Sequence, residues 1–316
     1  MITTSNSTAF NHAQQYSSFI LGNLHDGLMP STMYRNVTDF AKGSTLNIKT
    51  IGTVSLQEGA ENVAPTFSPI DSGNVTLAIS EYPADAWYVT DDSKEDHDQM
   101  EALMAARASE ATRAFQEYVE TKFFEAANAA QTAADANVVN GIAHRKVASG
   151  TNQIMALNDL IELKLAFDKA GAPYGSRVLV VDPVVAATMD KEFNGNYNVN
   201  RSSTIQSLLE TGFDREHQFL MNIMGFDIIT SNRLPRVASE TIGGDTVTTG
   251  VANIAMSIAD DQTRPMMLAW RRMPKVEGGR NKDLRRDEYN MTARFGIAPQ
   301  RLDTLGVILT DATATA

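Results

Sequence analysis

The chain of 316 residues contains no cysteine. That excludes disulfides, thiolate nucleophiles and cysteine-ligated zinc or iron–sulfur centres together. Long hydrophobic runs are missing too: no uninterrupted apolar segment approaches the ~18 residues of a membrane-spanning helix. The first thirty residues hold no basic stretch followed by an apolar core, so the expectation is a soluble, unexported chain. Positive charge is in deficit, with 27 Lys plus Arg against 38 Asp plus Glu and a net charge of −11. A protein that relies on phosphate contacts concentrates the opposite sign. The one basic cluster, Arg271, Arg272, Lys275, Arg280, Lys282, Arg285 and Arg286, is interleaved with Glu277, Asp283, Asp287 and Glu288. It reads as a solvated or subunit-facing charged strip. Phosphate-loop, dinucleotide-loop, zinc-peptidase and nucleophile-elbow motifs are absent. The histidines, His12, His25, His97, His144 and His217, are scattered. No catalytic, cofactor-binding or metal-ligating residue is therefore assigned.

What is present is enough apolar residue, 43 %, for a sizeable core. Residues 1–42 are polar, with isolated large side chains such as Phe10, Tyr16, Phe19 and Leu24, which suits an extended arm lying on another surface. From Gly43 the period becomes two. GSTLNIKTIG sets Leu46 and Ile48 against Asn47 and Lys49, and NVTLAIS aligns Val75, Leu77 and Ile79. Both read as strands of a long hairpin, residues 43–82, whose connection carries Gly59, Pro65, Pro69 and Gly73. A two-stranded ribbon is marginal alone in water. Its apolar stripe must therefore lie on another surface, which could belong to another copy of the chain.

AWYVTDDSKEDHDQM then crowds Asp91, Asp92, Glu95, Asp96 and Asp98 around His97. A divalent-metal site is one reading, since hard cations accept clustered carboxylates. The more economical one is a helix start: Asp91, Asp92 or Ser93 caps free amides, and the following acids suit the positive end of the helix dipole. Lys94 to Ala136 contains neither Gly nor Pro, and Met100, Met104, Ala108, Ala111, Phe115, Val119 and Phe123 recur at threes and fours. One long helix over 94–136 is predicted. Further on, Leu157 to Ala170 reads as a helix and SRVLVVDP as a buried central strand. VVAATMDKEF reads as a short helix and NGNYNVNRSST as a polar loop. Gly243-Gly244 lacks the strand-then-helix flanks of a phosphate loop and reads as a hairpin turn.

The order of these pieces resembles the major capsid proteins of tailed bacteriophages, with their Hong Kong 97-type fold. It runs from a polar arm through a long hairpin opening G-x-T-L-x-I, an acidic cap and one long helix. An α/β part with R-V-L-V-V-D-P and G-F-D-I-I-T-S-N-R-L-P follows, then closing strands. The resemblance implies an α+β fold with an N-terminal arm (1–42), an extended hairpin or E-loop (43–82), a peripheral domain (83–149 and 271–316) containing the long spine helix, and an axial α/β domain (150–270). It implies that the hairpin has no partner in its own chain and that Leu46, Ile48, Lys49, Val75, Leu77 and Ile79 of the E-loop meet a neighbouring subunit. The loop of Asn194, Gly195, Asn196, Tyr197 and Asn198 would lie at the capsomer axes.

The resemblance further implies a non-enzymatic coat protein that assembles with itself through pentamers and hexamers into an icosahedral head. That head would enclose double-stranded DNA without sequence-specific binding and without a membrane. Scaffolding, portal and cement or decoration proteins are the implied partners, and the virion, assembled in the host cytoplasm, the implied location. Some relatives of this kind cross-link an E-loop lysine to a peripheral asparagine with a carboxylate assisting. Lys49 and Asn290 could be paired this way, but residues 291–302 supply no carboxylate and the expectation is that no such bond forms. Two rival readings remain at this point: an encapsulin-type nanocompartment, against which the long arm speaks, and an acidic metal-dependent α/β enzyme using Asp91 to Asp98.

Overall fold

The computed structural model describes residues 29, 31–37, 43–51, 56–59, 61, 62, 64, 67, 69, 72–96, 100–131, 138, 139, 141–196 and 219–313. The first half runs β1 (Arg35–Val37), β2 (Thr45–Ile51), β3 (Ser72–Ala78), β4 (Ala84–Thr90), α1 (Asp91–Asp96) and α2 (Met100–Ala130). Then come β5 (Val138–Val139), β6 (Ile142–Ala143), β7 (Arg145–Val147), α3 (Leu157–Lys169), β8 (Arg177–Val181) and α4 (Pro183–Asn196). The rest is β9 (Phe219–Ile223), β10 (Phe226–Thr230), β11 (Arg236–Val237), β12 (Glu240–Ile242), β13 (Asp245–Val247), β14 (Gly250–Ser257), β15 (Met266–Asn281), β16 (Arg286–Pro299) and β17 (Leu305–Asp311).

Two larger sheets organise the chain. The seven-stranded one has the order β7-β17-β14-β8-β10-β9, with β11 on β14. Every residue of β8 and β14 is buried, because helices cover the sheet and, at Ala252, the β12–β13 hairpin does. Val178 and Val180 point to Phe123, Phe124 and Ala127 of α2. Leu179 and Val181, on the alternate side, meet Leu160, Leu163 and Phe167 of α3 and Val185 and Met189 of α4. α3 comes so close that a Cβ on Gly306 would stand 2.6 Å from Leu163 Cδ1.

The four-stranded sheet has the order β1-β15-β16-β4. β15 and β16 are long; their inner halves are core and their outer halves form an exposed ribbon. α2 spans both sheets. Its 31 residues rise about 46 Å, with Ala111 and Phe115 on Met291 and Ala293 of β16 and its last turns on the seven-stranded sheet.

Several expectations are corrected. The long helix does not begin at Lys94: α1 opens at Asp91 and α2 ends at Ala130, with 97–99 and 132–137 outside the described residues. The first turn is capped by Thr90, whose Oγ1 accepts the Ser93 amide at 3.4 Å, rather than by Asp91, Asp92 or Ser93. The closing segment does not return as a whole to the peripheral part. β17 pairs along β14 from Met256↔Leu305 to Gly250↔Asp311 and so belongs to the seven-stranded sheet, as does β7, because its residues are apolar on both faces. β15, conversely, enters the four-stranded sheet from Met266. The far end of the N-terminal arm is a strand of that sheet too, β1 running parallel to β15 with Met33 buried beside it; residues 1–28 lie outside the described residues. Gly243-Gly244 forms a hairpin turn between β12 and β13, both glycines at positive φ.

Candidate functional site

The β2–β3 hairpin has two unlike ends. In register, Leu46 faces Leu77, Ile48 faces Val75 and Lys49 faces Asn74. Period two puts Leu46, Ile48, Val75, Leu77 and Ile79 on one face. That face is not left for another copy: Leu77 and Ile79 are buried against Met267, Ala269 and Ala298, with Val37, Leu46, Ile48 and Val75 packed around them. The expectation of a stripe without an intramolecular partner is therefore wrong for the base of the hairpin. Backbone bonds fix the attachment. The Ile79 amide donates to Ser44 O at 2.9 Å, and Glu81 and Phe295 exchange two bonds of 3.1 Å. Gly296 permits the approach, since a Cβ there would stand 2.2 Å from Ala78 O.

Beyond Ile51 the character changes. Ile51, Leu56 and Phe67 are 81 %, 96 % and 92 % exposed. The sequence pattern located the stripe but could not say where its covering ends, because the cover comes from β15 and β16, some 190 residues downstream.

The loop assigned to the capsomer axes is corrected in part. Asn194, Gly195 and Asn196 are the last turn of α4, which continues past Phe193 despite the poor helix formers there. Tyr197 and Asn198 lie outside the described residues.

The acidic stretch and the basic strip, separate in sequence, meet each other. Arg280 on the ribbon grips Asp91 with bonds of 2.5 and 2.6 Å and reaches Asp287 at 3.2 Å, while Lys94 pairs with Asp287. The Arg280 guanidinium holds the Asp91 carboxyl below its ordinary range, and Lys94 first and Arg280 second do the same for Asp287. Next to them Trp87 stacks on Tyr289 with centroids 5.7 Å apart. Among the described residues no group of three or more His, Asp or Glu side chains is placed to hold a metal ion; His97 and Asp98 fall outside them. Asn290 stands opposite Glu277 of β15 and Ala86 of β4, whereas Lys49 is paired with Asn74 on the hairpin.

Sequence reading missed one buried junction. Glu120, on the apolar face of α2, accepts the Met29 amide at 3.1 Å and the Ser231 hydroxyl at 2.9 Å, with Arg233 at 3.6 Å. One carboxylate thus ties the arm, the long helix and the end of β10. Its only signal is position: it lies three and four residues before Phe123 and Phe124.

A family model for phage capsid protein matches residues 73–310, from the outgoing strand of the hairpin to the last strand of the seven-stranded sheet. The chain belongs to the phage capsid protein family. The fold agrees: the capsid of the cyanophage P-SCSP1u superposes with a TM-score of 0.70 at 13 % identity over 96 % of this chain and 93 % of that one. The Ralstonia phage GP4 capsid gives 0.69 at 10 % identity over 99 % and 98 %. The capsid of a native GTA particle gives 0.64 at 13 % identity over 98 % of each. No curated protein sequence matches the chain. This phage capsid protein is a structural subunit of the head shell, not an enzyme, and its place is the virion. Its fold is the Hong Kong 97-type, α+β as expected. No helix among the described residues is long and apolar enough to cross a membrane.

Proposed function

We propose that this major capsid protein assembles head to tail into five- and six-membered rings that join into an icosahedral shell around double-stranded DNA. The observation that carries the reading is the hairpin: anchored at its base on its own sheet, it presents Ile51, Leu56 and Phe67 beyond any cover among the described residues. A neighbouring subunit is the natural cover, and rotation-repeated heterologous contacts close rings. Each contact can be weak because many are made at once. The end of α4 (Asn194, Gly195, Asn196) together with Tyr197 and Asn198 is placed at the ring axes on this reading. Lys49 and the rest of the hairpin contribute to subunit contact beyond their packing at home.

The net charge of −11 supports enclosure of DNA without tight wall binding. Scaffolding, portal and cement or decoration proteins complete the assembly, which takes place in the host cytoplasm. The test is negative-stain electron microscopy of the purified chain, alone and with the products of neighbouring genes, after size exclusion. Rings of five or six or closed shells are expected. A small oligomer that never forms either would overturn the reading.

A further inference from the structure

Beside the hairpin base the four-stranded sheet places two arginines, Arg272 and Arg294, that no carboxylate among the described residues neutralises. β15 and β16 slip register on both sides of Arg272, which comes to face Arg294 across the strands. Like charges directly opposite each other on paired strands are destabilising. With Arg271, Tyr82, Ser80 and Ile79 they line a surface cavity of about 610 Å³ that no carboxylate among the described residues borders. Arg272 donates to Tyr82 Oη at 2.8 Å and lies over the Tyr82 ring, 5.3 Å from its centroid. Its Nε is buried without an acceptor among the described residues. The contrast with Arg280 is direct: that guanidinium has two carboxylates of its own chain, whereas neither Arg272 nor Arg294 has an ion pair among the described residues.

The opposite charge is at the far end of the hairpin. Glu58 and Glu61 are exposed and have no ion pair among the described residues. β2 alone carries the tip on the order of 20 Å from Ser44, at ~3.3 Å per residue, and the cavity adjoins the base. We propose that the Tyr82–Arg272–Arg294 cavity receives the Glu58 and Glu61 carboxylates of a second copy. The proposal rests on the reading of the hairpin tip as a subunit contact. Guanidinium forks match carboxylates in bidentate geometry. Every subunit owns one tip and one cavity, so the contact is head to tail and propagates around a ring. A fold that keeps two arginines face to face gains from it on assembly what it lacks alone.

The test uses the full chain in three charge-reversed forms: Arg272→Glu with Arg294→Glu, Glu58→Lys with Glu61→Lys, and all four together. Circular dichroism and melting establish that each folds, and size exclusion with negative stain gives the yield of rings and shells. Each reversed pair is expected to lower the yield about tenfold, and the four-fold form to restore most of it. Mixing the two reversed chains is a second measurement, independent of how the four-fold form folds: tip and cavity then match only between unlike chains, so even-membered rings are expected from the mixture alone. Wild-type assembly from folded Arg272→Glu/Arg294→Glu chains overturns the proposal. So does failure of both the four-fold form and the mixture to restore assembly. Loss of DNA retention at unchanged shell yield would assign the cavity to nucleic-acid phosphate instead. Those results leave the hairpin reading standing; a wild-type chain that never assembles removes both.

Discussion

The seven-stranded sheet and the four-stranded sheet with its hairpin are held together by different means. In the first, strands such as β8 and β14 are buried along their whole length, and the amide buried at the middle of β14 is satisfied internally. Asn253 accepts the Asp182 amide at 3.1 Å and donates to Ile308 O and Thr310 Oγ1. In the second, elements begin in core and end in solvent. β15 passes from buried Met266 to exposed Arg280, and the hairpin from buried Leu77 to open Phe67. A strand covered on both sides is finished by its own chain. One that runs out of cover is open to something outside it, and on the reading proposed above that something is another copy.

The sharpest way to break this comparison is to truncate one phenylalanine in each region. Phe226 is fully buried and 5.6 Å from the Phe167 ring. Phe226→Ala should cost about 3–5 kcal/mol in denaturant unfolding, combining lost transfer energy with an unfilled cavity. Phe67→Ala should move the isolated subunit by less than about 0.5 kcal/mol, as exposed positions do, yet lower the yield of rings and shells. Equal effects on unfolding would mean that the hairpin tip is packed at home and the contrast is false.

A smaller effect is expected at the seam. Gly296→Ala would push a Cβ to 2.2 Å from Ala78 O and 2.9 Å from Ala78 C, both backbone atoms that cannot swing aside. The cost should be about 1–3 kcal/mol, as for other overpacked sites. Hydrogen exchange should localise it, with the Ile79 and Glu81 amides losing protection while those of β8 and β14 keep theirs. Loss in both sheets together would show that they open as one cooperative unit.

How far the sequence disclosed all this follows from the range of each interaction. Period two in 43–51 and 72–80, the buried run Arg177–Val181 and the long apolar stripe from Ala111 to Phe123 are local patterns, and each became the element it announced. The cover of Leu77 by Met267 and Ala298, the grip of Arg280 on Asp91 and the Glu120 junction join residues about 90 to 220 positions apart. No periodicity encodes such pairings. The acidic stretch shows the difference well. Its helix start was legible from the residues next to it, but its true partners, Arg280 and the ribbon, were visible only as an unexplained basic strip. The end of α4 was misread for a milder reason. Asn194, Gly195 and Asn196 are poor helix formers, and their propensity gave way to continuation of a helix already nucleated upstream.

Acid should sharpen the comparison with the least perturbation, because the two regions titrate for opposite reasons. Burial holds the His144 imidazole below its ordinary value of 6.5, against weaker upward pulls from the Ile142 and Asp303 backbone and the Asp303 charge. Its neutral form is what folds, stacked 6.0 Å from Phe167. The unfolded chain then binds the proton more readily, so stability in this region is complete above about pH 6.5 and falls as pH drops below it, until the lower folded value is reached. Asp91 and Asp287 run the other way: their depressed pKa values contribute stability that is full above the ordinary carboxylate value of 3.8 and is lost only as pH falls further. Hydrogen exchange between pH 7 and 5 should therefore loosen the Val307 amide, which donates to His144 O at 2.8 Å, while the Asp91 amide on Arg285 O holds. His144→Gln should flatten the first response and leave the second. If the ribbon loosened first, exposed ion pairs rather than the buried imidazole would be the acid-sensitive element, and the division between a self-sufficient sheet and an outward-facing one would have to be redrawn.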